Sequence, residues 1–61
     1  MAEPLGEVYV IEVLAGAEWK FHSAYKRIAD ATAVASLLLQ GWRIVVLSTG
    51  EPVSWGNLTH S

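Results

Sequence analysis

The chain has 61 residues, a net charge of −2 with only four Lys and Arg, and no cysteine. Disulfide staples and thiolate metal sites are therefore excluded, and so is a basic phosphate-neutralising surface of the kind nucleic-acid binders carry. One domain is the upper limit, and a chain this short buries only about 60% of its unfolded surface, so its core is marginal without a partner subunit.

Composition points the same way. Hydrophobic residues make up 52% of the chain and charged ones only 16%, which leaves little surface charge for a small monomer. A membrane-spanning helix needs about 18 or more apolar residues in a row. The longest uncharged run, 31–42, is broken by Thr32, Ser36, Gln40 and Gly41. The opening "MAEPLGE" lacks the basic-then-apolar order of a signal peptide. The expectation is a cytoplasmic protein with no membrane and no nucleic-acid partner. The sequon Asn57-Leu58-Thr59 is then a chance match.

Residues 1–6 form an unpatterned lead-in. "EVYVIEVL" (7–14) has the β-branched and aromatic composition of a strand. Alternation puts Tyr9, Ile11 and Val13 on one face and Val8, Val10 and Leu14 on the other, with Glu12 the polar exception. Two apolar faces indicate a central strand. "AGA" (15–17) is short enough for a hairpin loop, with Gly16 supplying a positive φ. "EWKFHSAY" (18–25) alternates as an edge strand, with Trp19, Phe21, Ser23 and Tyr25 on one face and Glu18, Lys20, His22 and Ala24 on the other.

A helix is predicted from Arg27 to Gln40, started near Ser23 or Asp30 and stopped by a left-handed Gly41. Its inward stripe is Ile28, Ala31, Ala35, Leu38 and Leu39. Leu37, beside Ala33 and Val34, is apolar on the outward side. "WRIVVLST" (42–49) reads as a third strand, with Trp42, Ile44 and Val46 on one face and Arg43, Val45 and Leu47 on the other. "GEP" turns the chain, "VSW" (53–55) can add a short fourth strand, and 56–61 reads as a loose tail.

The expected fold is α+β, β-β-α-β: a three-stranded, mainly antiparallel sheet of order 2-1-3 with one helix on one face. A single helix leaves the second sheet face open, with more apolar area than soluble monomers tolerate. A homo-oligomer, dimer or tetramer, is therefore expected. Its interface is drawn from Val8, Val10, Leu14, Val45 and Leu47, with Leu37 as a second contact. Sheets packed face to face and edge strands paired between chains are both open routes. A third is the tail folding back with Trp55 as a plug.

No catalytic constellation is visible, and His22 and His60 are too few and too far apart for a metal site. His22 adjoins Ser23, but strand neighbours point to opposite faces. Glu12 is expected to pair with Lys20 or Arg43. The binding candidates are the aromatic group Trp19, Phe21, Tyr25 and Trp55, with Trp42 beside them, and the cations Arg43, Arg27, Lys20, Lys26 and His22. Aromatic residues with a nearby arginine are enriched at binding hot spots, and the same groups can stack a ring ligand.

The run "AYKRIADATAVASLLLQGWRIVVLS" (24–48) resembles one half of a sporulation-related repeat (SPOR) domain at Tyr25, Ala31, Ala35, Leu38, Gly41 and the strand from Trp42. That family carries two such halves in one chain and binds peptidoglycan glycans. The resemblance implies a β-α-β unit that completes itself by pairing with a second half, here through dimerisation, and glycan binding is not carried over. In size and aromatic edge the chain is also similar in style to small accessory proteins of bacteriophages. The functional expectation is a non-enzymatic protein, without cofactor, that acts on a host or defence protein by occlusion. The alternative is a nucleotide-like ligand held at a subunit interface.

Overall fold

The computed structural model describes residues 7–58. In chain order the elements are β1 (Tyr9–Ala15), β2 (Glu18–Tyr25), α1 (Ile28–Ala35), β3 (Trp42–Val46) and β4 (Pro52–Gly56). The fold is α+β, with one four-stranded sheet of order β2-β1-β3-β4 in which every neighbouring pair is antiparallel. The expected order 2-1-3 is present, and the fourth strand completes the sheet on the β3 side. Among the described residues no helix is long and apolar enough to cross a membrane.

β1 is central for the reason its sequence gave: both of its faces are apolar. Ile11 and Val13 point at the helix, and Val10 points away, yet all three are buried. The β1–β2 turn is the two residues Gly16 and Ala17, with Gly16 at φ 66°. A side chain with a Cβ adopts that conformation only at a cost. The main core lies between α1 and the sheet. It comprises Ile11, Val13, Trp42 and Ile44 from the strands and Ala31 and Ala35 from the helix, with Tyr9, Tyr25, Val34 and Leu38 packed around it. Ala31 and Ala35 are fully buried. Their small side chains let the helix backbone approach the sheet closely.

The helix is shorter than the predicted span 27–40. It begins after Arg27, which occupies the N-cap in extended conformation without a side-chain cap bond, so neither Ser23 nor Asp30 caps it. It ends at Ala35, where the chain tightens: Leu37 N donates to Val34 O at 3.0 Å and Leu38 N to Ala35 O at 2.9 Å. These i→i+3 bonds turn Leu38 back into the core. Leu39, assigned to the inward stripe, is instead 95% exposed, because it no longer lies on a helix. Gly41 is not the left-handed stop, since among the described residues the glycines with positive φ are Gly16 and Gly50. It sits at the entrance to β3, where its carbonyl accepts from Leu14 N at 2.8 Å.

The segment between α1 and β3 is held from the residue that follows β4. Asn57, in left-handed conformation at φ 57°, donates its side-chain amide to Leu38 O at 2.7 Å and Gln40 O at 3.3 Å. Gly56 belongs to β4 rather than to a tail, and residues 1–6 and 59–61 of the expected lead-in and tail lie outside the described residues.

Candidate functional site

The face of the sheet away from α1 is where the predicted binding residues meet. Two bulges decide which of them reach it. In the β1–β2 ladder the register shifts between Ile11 and Glu12, so that Ser23 opposes Ile11 while Phe21 opposes Glu12, and His22 is the extra residue. A bulge places two residues opposite one and reverses the alternation beyond it. Trp19 and Phe21 therefore share the open face with Glu12 and Leu14, whereas Ser23 and Tyr25 share the helix face with Ile11 and Tyr9. The single aromatic face expected for 18–25 is thus divided between the two sides of the sheet. The second bulge lies in the β3–β4 ladder, with Val53 as the extra residue between Ser54 opposite Ile44 and Pro52 opposite Val45.

The register then builds a row straight across the open face. Phe21 on β2 opposes Glu12 on β1, Glu12 opposes Arg43 on β3, and Arg43 opposes Trp55 on β4. At its centre Arg43 Nε donates to Glu12 Oε1 at 2.7 Å. Arg43 was one of the two expected partners of Glu12. The other, Lys20, instead lies 3.7 Å from Glu18 at the exposed edge. The Arg43 guanidinium also reaches back over Trp19, 4.4 Å from the ring centroid. An ion pair in this half-exposed setting gains from a short charge-assisted bond and from the aromatic surface below it. The row is capped at its two ends by Phe21, 68% exposed, and Trp55, 53% exposed.

Next to this row lies a second one, Ala24–Val10–Val45–Pro52. Val10 and Val45 are already buried, while Leu47 stands exposed beside them. A shallow cleft of ≈ 380 Å³ opens here, floored by Val10 and Val45 and walled by Phe21, Leu47, Glu12 and Arg43. Trp55 does not fold over the face as a plug: it stands in the row at the β4 edge.

Of the predicted binding residues, Trp19, Phe21, Arg43 and Trp55 converge. Tyr25 packs against the core on the helix side. His22 sits in the bulge with its Nδ1 2.8 Å from Ser23 Oγ, both at the surface. Arg27 is at the helix N-cap, away from the open face. Of the predicted contact residues, Val10, Leu14 and Val45 lie on the open-face side, Val8 and Leu47 extend the β1–β3 pairing through Leu47 N to Val8 O at 2.9 Å, and Leu37 stands exposed just past the helix. The member of the row that its residue type alone did not mark is Glu12. Its polar interruption of an apolar strand opposite an arginine was the available signal.

Among the described residues no group of three or more His, Asp or Glu side chains is placed to hold a metal ion. No family model, curated protein or solved structure matches this chain.

Proposed function

We propose that this chain is a non-enzymatic, homo-oligomeric binding protein that acts by protein–protein contact through the open face of its sheet. The observation that supports the reading is the row Phe21–Glu12–Arg43–Trp55, in which exposed aromatic rings flank an arginine already held in place by Glu12 and Trp19. Aromatic side chains lose little conformational entropy on binding, and a fixed guanidinium less than a free one, so such a surface is inexpensive to immobilise against a partner. Occlusion of a host or defence protein by a small phage-encoded inhibitor is the form this activity takes in our reading. The test is affinity capture from the source cell by the wild-type chain and by a Phe21→Lys/Trp55→Lys variant. A protein retained by the wild type and lost from the folded variant is expected. Equal capture by both overturns the assignment to this face.

A second reading is favoured by the cleft, whose ≈ 380 Å³ falls in the range of small-ligand sites. Arg43 and Phe21 there would serve the phosphate and the ring of a nucleotide-like ligand. Thermal shift against a mononucleotide panel separates the two: a ligand at about 100 times its Kd adds about 2.7 kcal/mol. Protein contact predicts no rise in Tm.

A further inference from the structure

The open face has an arrangement that fits a second copy of itself. We propose that two chains pack face to face about a two-fold axis that lies in the interface and runs along the strands between β1 and β3. This rests on the reading of the open face as a contact surface, which a foreign partner then reaches only by displacing the second copy. Such an axis lays β1 of one copy over β3 of the other. Each Glu12 then faces the Arg43 of its partner, and each Phe21 faces a Trp55, because the four side chains form one row across the sheet. The row is therefore self-complementary in charge and in apolar character, as an isologous contact requires. Within each copy the Glu12–Arg43 bond at 2.7 Å holds the two charges side by side. Two such pairs stacked in opposite order attract one another.

The alternative route, edge pairing, is obstructed at both edges. β2 carries the His22 bulge and the charged pair Glu18 and Lys20. β4 is five residues long, opens on Pro52, which has no N–H to donate, and is bulged at Val53. Charged side chains, proline and bulges are the features by which edge strands avoid one another.

The size of the face sets the strength of the contact. Four strands about 4.8 Å apart and about five residues long cover roughly 19 by 17 Å, which places the dimer at the weak end of specific interfaces. It is accordingly to be sought at concentrations from about 10 µM to about 1 mM. Sedimentation equilibrium of the wild-type chain over that range is expected to pass from the 6.6 kDa chain to twice that mass. Phe21→Lys and Trp55→Lys replace exposed side chains and leave the fold intact, as checked by circular dichroism. Each should weaken the dimer by about tenfold or more, the size expected of an aromatic anchor. Glu12→Arg and Arg43→Glu should each be monomeric alone and form a heterodimer when mixed.

A wild-type chain that stays at 6.6 kDa at the highest concentration overturns the proposal. So does a dimer indifferent to all four substitutions, which would have formed through another surface. A monomer that still captures a cellular protein through Phe21 and Trp55 removes the dimer while leaving the contact surface standing. A dimer that captures nothing supports the self-association and removes the foreign partner.

Discussion

Glu12 and Arg43 occupy opposed positions on β1 and β3, and the strand register holds them together before any side-chain attraction is counted. Their side chains are 25% and 29% exposed, so solvent screening discounts the pair and its net contribution is about 1 kcal/mol. Arg43→Ala is expected to cost more than Glu12→Gln, about 1–2 kcal/mol against about 1 or less, because it also uncovers the ring of Trp19. Urea unfolding of both variants checks the ranking. A larger residue-scale effect is expected at Gly56, which pairs with Trp42 across β3 and β4. A Cβ placed there would lie 2.3 Å from the Trp42 indole. Trp42 is buried and its ring lies against the glycine backbone, so neither group has room to yield. Gly56→Ala should destabilise by about 1–3 kcal/mol, visible as a lower urea midpoint. The sequence placed Gly56 in a loose tail, because its close approach to Trp42 depends on a pairing between strands.

At the scale of elements, α1 shows where sequence reasoning reaches and where it stops. Ala31 and Ala35 were readable as the packing face from their spacing, and both are fully buried. The end of the helix was not readable, because three leucines and a glutamine are good helix formers. Tertiary demand prevails: Leu38 must enter the core, and Asn57 holds the Leu38 and Gln40 carbonyls of the segment that leads from the helix into β3. The N-terminus is left under-capped, with Arg27 in extended geometry and Asp30 in the first turn. Arg27→Ser should supply the missing acceptor and stabilise by about 0.5–1 kcal/mol, which in a domain of this size raises Tm by several degrees. Differential scanning calorimetry measures it, and an unchanged Tm would mean that this end of the helix is frayed. The β2 bulge is the other element-scale device. Deleting His22 would remove the extra residue and leave Phe21 opposite Glu12 and Trp19 opposite Leu14, so the shortened chain is expected to fold with a regular β1–β2 ladder, as checked by circular dichroism.

At the scale of the molecule the controlling fact is the ratio of layers among the described residues: one short helix against four strands. Part of the second face is closed by the sheet itself, since Val10 and Val45 are buried beneath their neighbours. Val10→Asp should therefore prevent folding at any protein concentration, as a charge placed in an apolar site with no partner. Phe21→Lys should leave folding intact and weaken contact through this face. Comparing the two variants by circular dichroism and sedimentation separates a core position from a contact position on the same face. The sequence by itself determined the strands, the central place of β1, a hairpin turn at Gly16, the small helix face and an apolar excess for one layer of cover. These follow from alternation, spacing and composition, which are local. Only the tertiary structure decided which aromatics share a face, that Glu12 meets Arg43 rather than Lys20, and that the helix stops at Ala35. Each of those depends on a register or a hydrogen bond between residues distant in the chain. A single bulged residue reverses every side chain beyond it, and no periodicity within one strand records where its neighbour places that bulge.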